Sequence, residues 1–261
     1  MGLLLLLLTG VAVAYAAPDL RLATTTSTEN SGLLNAILPL FEAKYDTKVR
    51  VISVGSGKAM KLGENGDVDV VLVHSRADED KFVAAGFGVN RRDVMYNDFI
   101  IVGPKSDPAG IRGNDVLTAF KKIAAAGIGF VSRGDDSGTH KMEQSYWKAV
   151  RVEPIAMPGY VSAGLGMGEV LMMAAEMQRY TLSDRATYAA YRAKTGLEIL
   201  VSGDSKLFNP YGVIAVNPAR HPEVNHAGTK QFIEWLTSPE GQAAIAGYRV
   251  DGEQMFFPSA R

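Results

Sequence analysis

DVDVVLVHS, residues 67–75, is the stretch that most clearly indicates the fold. Its apolar run, residues 70–73, is bounded by polar residues, as in a short strand that is buried on both faces. Such strands are typical of parallel sheets covered by helices. KVRVISV (48–54) and FIIVGP (99–104) have the same character. We therefore predict that all three lie in buried parallel positions of an α/β sheet.

Helices alternate with these strands. Residues 31–45 place apolar side chains on one helical stripe, with Pro39 as a kink. A Met-rich helix is predicted over residues 164–180, and two more helices close the chain. No internal repeat or flexible linker interrupts the pattern. Other strands are predicted at 20–25, 127–131, 198–204 and 212–218.

Composition restricts the possible functions. The chain has 261 residues, of which 47% are hydrophobic and 21% are charged, so it can bury a full-sized core. Its 27 basic residues nearly balance its 28 acidic residues, and this balance argues against binding to nucleic acid or to an anionic membrane. Cysteine is absent, which excludes disulfides and thiolate metal sites. No cofactor is predicted, and any bound anion must be held by local groups.

The first 17 residues have the pattern of a signal peptide. An apolar run from Leu3 to Ala14 is followed by Ala14-Tyr15-Ala16, an A-x-A cleavage pattern. We predict residues 1–17 as a signal peptide cut near Ala16 or Ala17, and hence export to the periplasm. The alternative is a membrane anchor, although the run is shorter than the roughly 20 apolar residues of a spanning helix.

Four predicted junctions between a strand and a helix carry hydroxyl or glycine residues. In open α/β sheets, ligands bind at such junctions, where helix N-termini present free N–H groups. Hydroxyls add donors, and glycine lets the backbone approach closely. Helix capping is the alternative interpretation of each stretch. The four stretches are TTTSTEN (24–30), VGSGKAM (54–60), VHSRAD (73–78) and SRGDDSGTH (132–140).

Two nucleotide-binding motifs are incomplete in this chain. GSGK (55–58) resembles part of a P-loop, but that motif requires Gly at position 52 and Ser or Thr at position 59, where the chain has Ile52 and Ala59. GLGMG (164–168) lacks the G-x-G-x-x-G spacing. A nucleotide site is therefore not predicted.

Six long motifs closely resemble those of the tungstate-binding proteins that supply bacterial ABC importers. The resemblance extends from about Leu20 to Pro258. It implies the two-lobed periplasmic binding protein fold of the molybdate and sulfate type (type II), with a hinge of two strands. The motifs are LATTTSTENSGLL (22–34), SVGSGKAM (53–60), DVVLVHSRADE (69–79), MYNDFIIVGP (95–104), FVSRGDDSGTHKME (130–143) and NPYGVIAVNP (209–218).

The resemblance also implies domain limits and partners. Lobe 1 is expected to comprise residues 18–103 and 208–261, and lobe 2 residues 104–207. The protein is expected to be a monomer and not an enzyme. Its expected partners are tungstate, or molybdate in its place, and a permease of an ABC transporter in the inner membrane. The mechanism is closure of the lobes around the anion.

The anion is expected to contact hydroxyls, backbone N–H groups and the fork of one arginine. The expected ligands are Thr25, Thr26, Ser27, Ser56, Gly57, Ser75, Arg133, Ser137, Gly138 and Thr139. Asp135 and Asp136 are expected to orient Arg133 or to cap the next helix, because a carboxylate would repel the anion.

Other polar residues near these motifs are left with open or structural roles. Lys58 either supports the site or points to solvent. His74 and His140 are interpreted as surface or packing residues, and Asp184 as a helix N-cap.

Two alternatives stay open at this stage. The same fold could bind molybdate, sulfate or phosphate, and an aspartate acceptor would favour an anion that still carries a proton. An unrelated alternative is a hydrolase that uses Ser137 with His140 and Asp136, although no G-x-S-x-G motif surrounds Ser137.

Overall fold

The computed structural model describes residues 19–260. The predicted signal peptide and its cleavage site lie outside the described residues. The first part of the chain contains the three strands around which the first sheet forms. Its elements are β1 Leu20–Thr25, α1 Thr26–Asn30, α2 Leu33–Tyr45, β2 Val49–Val54, α3 Ser56–Asn65, β3 Val70–Val73, α4 Arg76–Ala84 and β4 Gly88–Gly103.

The middle part contains a second group of strands and helices. Its elements are α5 Val116–Ala126, β5 Phe130–Ser132, α6 Gly138–Ala149, β6 Tyr160–Ser162, α7 Met167–Glu176, β7 Thr181–Asp184, α8 Arg185–Thr195 and β8 Glu198–Val201. The last part returns to the first sheet. Its elements are β9 Phe208–Val216, α9 His226–Leu236, α10 Pro239–Gly247, β10 Arg249–Val250, β11 Glu253–Gln254 and β12 Phe257–Pro258.

The first sheet has a parallel centre. β1 lies between β2 and β3 and runs parallel to both, so Leu22 faces Val51 on one side and Val70 on the other. β3 is fully buried, as its unbroken apolar run predicts. β2 is parallel as predicted, but it is the edge strand and only half-buried, so the prediction of a buried position for residues 48–54 is wrong. Since the carboxyl ends of parallel strands lie at one edge, the loops after β1, β2 and β3 open on the same side of the sheet.

β4 and β9 are long strands that join the two halves of the molecule. Residues 88–98 of β4 pair antiparallel with β9. From Phe99 onward, β4 pairs with β7 and β8, again antiparallel. The prediction that residues 99–104 lie in a parallel position is therefore wrong, because this run is the end of a strand that crosses between two sets of partners. Its apolar residues are buried there on both faces.

Four hydrophobic clusters divide between the two lobes. Two of them lie on the two faces of the first sheet, one around Phe41 and Trp235, the other around Val71 and Phe82. The other two lie around β4 beyond Phe99, β7 and their helices. The chain thus has a two-lobed α/β fold in which β4 and β9 form the connection. The exact lobe limits, residues 18–103 with 208–261 and residues 104–207, stay a prediction.

Candidate functional site

Arg133 follows β5 and is the most deeply buried guanidinium in the described chain, with 1% of its surface exposed. Its Nη2 donates to Thr26 Oγ1 at 2.7 Å and to Asp135 Oδ2 at 2.5 Å. Its Nε donates to the carbonyl oxygen of Leu165 at 3.4 Å. Its Nη1 is buried and has no partner among residues 19–260. A buried cation thus retains an unused donor, which is costly unless a further acceptor binds there.

The loop after β1 surrounds this region with hydroxyls. Thr25 caps α1, and its Oγ1 accepts a hydrogen bond from the backbone N–H of Thr28 at 3.2 Å. The same oxygen lies 3.0 Å from Ser27 Oγ and 2.7 Å from Thr28 Oγ1. All three hydroxyl residues are buried. Capping and the grouping of hydroxyls near Arg133 therefore occur together in one loop.

His74 connects this loop with β9, one of the two strands that join the lobes. Its Nε2 lies 3.2 Å from the side-chain oxygens of both Thr25 and Ser27. Its Nδ1 lies 3.0 Å from Asn209 Oδ1, on β9. Burial first, and the charge of Arg133 second, lower the pKa of His74 to about 4, so the ring is neutral at pH 7. The interpretation of His74 as a simple packing residue missed these contacts, because Asn209 is 135 positions away in the chain.

The loop after β2 contacts the loop before α6 closely. The hydroxyl of Ser56 accepts a hydrogen bond from the backbone N–H of Gly138 at 2.9 Å. A Cβ atom at Gly55 would lie 2.9 Å from the carbonyl oxygen of Asp135, and one at Gly57 would lie 2.5 Å from Asp136 Oδ2. Glycine at position 55 is what allows this approach, because a backbone oxygen faces it, whereas the Asp136 side chain opposite Gly57 is exposed and can move.

The N-terminus of α6 combines capping with an unused hydroxyl. Ser137 Oγ caps the helix by accepting from the backbone N–H of His140 at 3.2 Å. Thr139 is buried, and its Oγ1 has no partner among the described residues. Thr139 and Arg133 therefore each present an unpartnered buried polar atom.

The two aspartates of this loop have different surroundings. Asp135 binds Arg133 with one oxygen and accepts from the backbone N–H of Ser137 with the other, so it orients Arg133, whereas the residue that caps α6 is Ser137. The side chain of Asp136 is 74% exposed and lies 3.6 Å from Lys141. Its backbone N–H donates to His140 Nδ1. Asp136 contributes a left-handed turn, with φ of 59°, and its carboxylate does not orient Arg133.

Ser75 and Lys58 lie outside the group of residues around Arg133. The Ser75 hydroxyl donates to Asp78 Oδ2 at 2.8 Å, and Asp78 also pairs with Lys141 at 2.6 Å. Lys58 is exposed on α3. Both residues belong to predicted junctions, but the Ser75 hydroxyl is bound to Asp78 and the Lys58 side chain is exposed to solvent.

Asp184, interpreted from the sequence as a helix cap, is the cap of α8. Its Oδ1 accepts from the backbone N–H of Thr187 at 2.8 Å. Its Oδ2 is buried with no partner among residues 19–260. Burial raises the pKa of Asp184, and the nearby charge of Arg133 opposes this shift. The aspartate with a spare oxygen near Arg133 is thus Asp184, rather than a member of the 135–136 pair.

The arrangement required for a serine hydrolase is not formed by Ser137. Its Oγ accepts from the backbone of His140, whereas the His140 ring accepts from the backbone of Asp136. Neither contact joins the hydroxyl to the imidazole. The geometry instead suits binding, because the segments that follow β1, β2 and β5 bring hydroxyls, a backbone N–H group and one guanidinium together.

Such a two-lobed fold, with polar groups of both lobes in contact, is that of a solute-binding protein. The model of the PBP superfamily domain matches residues 12–240, and the chain belongs to this superfamily.

Individual relatives are also close. The tungstate-binding protein TupA of Peptoclostridium acidaminophilum is 50% identical over 92% of this chain and 85% of its own length. The structure of the tungstate ABC transporter protein from Geobacter sulfurreducens is 55% identical, with a TM-score of 0.82 over 88% of this chain and 98% of that chain. TupA from Desulfovibrio alaskensis G20 is 47% identical, with a TM-score of 0.80 over 94% of this chain and all of that chain, 100%.

Between residues 19 and 260, none of the helices combines the length and the apolar character that crossing a bilayer requires.

Proposed function

We propose that this protein captures tungstate between its two lobes and delivers it to the permease of an ABC transporter. The observation that carries the proposal is the Arg133 guanidinium, which is buried and retains an N–H group with no partner in the described chain. A buried dianion needs a hydrogen bond at every oxygen, since unpaired buried charge is very costly. Arg133 and the surrounding hydroxyls supply that kind of donor set. High identity to tungstate-binding proteins supports the choice of anion.

We infer that closure of the lobes assembles the site. Three contacts join loops of the predicted lobe 1 to the loop 133–141 of the predicted lobe 2: Arg133 with Thr26, Gly138 with Ser56, and Lys141 with Asp78. An anion held by both loops would add its own interactions to these, so its binding would shift the population toward the closed form. The permease would then recognise the closed form.

The lobe limits proposed here are residues 18–103 with 208–261 and residues 104–207. The change of partner along β4 falls between Asp98 and Phe99, and this supports a connection close to the proposed limit at 103. We also propose that the protein acts in the periplasm, as a monomer, and without catalysis. The contacts of Ser137 and His140 agree with the last point.

Calorimetric titration of one purified sample with tungstate, molybdate, sulfate and phosphate tests this function. Tungstate is expected to bind with the highest affinity, and sulfate and phosphate at least 100-fold more weakly. Preference for phosphate would instead indicate that a spare acceptor such as Asp184 Oδ2 accepts a hydrogen bond from a protonated oxygen of the anion. Absence of binding for all four anions would disprove the proposal.

A further inference from the structure

His74 occupies an unusual position, because it contacts the loop after β1, the strand β9 and the start of α6. Its ring packs on Tyr211, with the ring centres 4.7 Å apart, and it lies 6.2 Å from the ring of Phe99. A Cβ atom at Gly138 would lie 3.0 Å from two atoms of the His74 ring. The ring is therefore enclosed from both lobes and has little freedom to rotate.

The neighbours of His74 determine where its hydrogen lies. Asn209 donates from Nδ2 to Asn97 Oδ1 at 2.7 Å, which leaves Asn209 Oδ1 facing His74 Nδ1 at 3.0 Å. In this orientation of the Asn209 amide, its oxygen accepts the hydrogen bond and Nδ1 is the donor. A neutral imidazole carries a single hydrogen, and Nε2 is consequently a bare acceptor.

This acceptor constrains the hydroxyls that line the cleft. Thr25 Oγ1 and Ser27 Oγ each lie 3.2 Å from Nε2, and each has one hydrogen to donate. The single lone pair of Nε2 takes one of these two hydrogens. At most one of the two hydroxyls then remains able to donate to an anion.

We propose that His74 is a positioning residue that holds its hydrogen on Nδ1 and, by accepting from Thr25 or Ser27, decides which of these two hydroxyls donates to the bound oxyanion. This proposal rests on the function proposed above, since it concerns the same site. It assigns the two hydroxyls unequal roles. It also connects the anion-binding loop to both crossing strands through Asn209 and Asn97.

The position of the hydrogen can be measured directly by long-range ¹H–¹⁵N NMR of the imidazole rings in the full chain. The chain has four histidines, so His74 is assigned as the signal that disappears in the His74→Phe variant. The expected pattern at pH 7 is a neutral ring with its hydrogen on Nδ1. A hydrogen on Nε2, or a rapidly averaged pair of tautomers, would overturn the proposal. This readout needs no anion and remains informative even if tungstate fails to bind.

Tungstate affinity tests the consequence. His74→Phe keeps a ring of similar volume against Tyr211 but removes both nitrogens, so we expect the affinity to fall at least 10-fold. The matched control is His226→Gln, at the exposed first position of α9, which should leave the affinity within twofold. Unchanged affinity of a folded His74→Phe protein would mean that the ring only packs, and the proposal would be wrong. If the wild-type protein did not bind tungstate, the proposed function itself would be refuted.

A double-mutant cycle identifies the hydroxyl that donates to His74. Thr25→Val and Ser27→Ala are each combined with His74→Phe, and tungstate affinity is measured for all variants. One of the two substitutions should lose at least fivefold of its effect in the His74→Phe background, because its partner is already absent. Effects that multiply independently for both residues would contradict the proposal.

Discussion

Arg91, which is partly buried, and Arg133, which is fully buried, are two arginines with opposite surroundings. The Arg91 side chain, 12% exposed, binds the buried Glu79 through Nε and Nη2 and Asp93 through Nη1. The Arg133 side chain, 1% exposed, has one carboxylate partner and an Nη1 group without a partner in residues 19–260. Arg91 thus has two carboxylate partners, whereas Arg133 has one and retains an unused donor.

The difference shows how a binding arginine can be recognised without its ligand. Burying a guanidinium is costly, and a fold that needs only stability surrounds it with acceptors, as at Arg91. At Arg133 the fold supplies the carboxylate of Asp135, the hydroxyl of Thr26 and the carbonyl oxygen of Leu165, and it leaves Nη1 without an acceptor in the described residues. Such an arrangement is reasonable only where an anion completes it.

Arg91→Ala tests the structural half of this comparison and has the largest expected effect. It leaves Glu79, whose carboxylate is fully buried, without its cation, so the free energy of unfolding should fall by about 3–5 kcal/mol. Urea denaturation measures this loss. Tungstate affinity of the protein that remains folded should stay at the wild-type value, and a parallel loss of affinity would remove the distinction between the two arginines.

Arg133→Ala tests the binding half of the comparison, in which the arginine holds the anion. Charge-assisted hydrogen bonds to the anion disappear, and binding of tungstate should weaken by ~2–3 kcal/mol or more. The partner left behind, Asp135, is partly exposed, so stability should fall less than in Arg91→Ala. Calorimetry gives the affinity, and denaturation gives the stability. Unchanged affinity would exclude Arg133 from the anion site.

The sequence predicts the fold well where the signal is local. The strand at Leu20–Thr25 and the two helices that close the chain, α9 and α10, are confirmed, since each depends on the periodicity or capping residues of one segment. The direction of residues 99–104 was predicted wrongly, because an apolar run shows that a strand is buried but not which partners it pairs with.

The same distinction applies to the site. Arg133, Thr25 and Ser27 follow strands and could be selected by position alone. The contacts of His74 could not, because they depend on pairing between strands that are distant in the chain, Asn97 of β4 with Asn209 of β9. The contact of the Ser75 hydroxyl is local, since Asp78 lies three residues later and accepts its hydrogen bond.

Glu143 extends the comparison to a buried carboxyl group. Whereas Glu79 binds Arg91, Glu143 accepts from Trp147 and the hydroxyl of Tyr160, both neutral donors. Burial raises the pKa of Glu143 to about 7. Between about pH 4.5 and about pH 7, Glu143 is therefore protonated in the folded protein and ionised in the unfolded chain. The free energy of unfolding should fall as the pH rises through this range.

Glu143→Gln removes this titration while keeping an acceptor for Trp147. Between pH 5 and pH 8, the wild type should lose roughly 2 kcal/mol more unfolding free energy than the variant. Urea denaturation at both pH values measures the difference, in which the other titrating groups cancel. Identical pH dependence of the two proteins would show that Glu143 is already ionised in the folded state.

Thr139→Val tests the buried hydroxyl at the N-terminus of α6. The substitution exchanges a buried hydroxyl that has no partner in the described residues for a methyl group, so stability should be unchanged or slightly higher. Tungstate affinity should fall by about 1 kcal/mol, the usual net value of one hydrogen bond. Thr229→Val is the matched control, because the hydroxyl of Thr229 donates to the carbonyl oxygen of Asp69. Thr229→Val should lower the free energy of unfolding and leave the tungstate affinity unchanged.

Ser75→Ala has the smallest expected effect and separates two hydroxyls that the sequence presents as equivalent. Ser56 and Ser75 both stand at the start of a helix that follows a parallel strand. The hydroxyl of Ser56 accepts from Gly138 at the start of α6, whereas that of Ser75 is bound to Asp78. Ser75→Ala should therefore change tungstate affinity by less than ~0.5 kcal/mol, as is usual for substitutions outside a site. Ser56→Ala should weaken tungstate binding clearly more than Ser75→Ala does. If the two substitutions reduced the affinity equally, Ser75 would be a ligand of the anion.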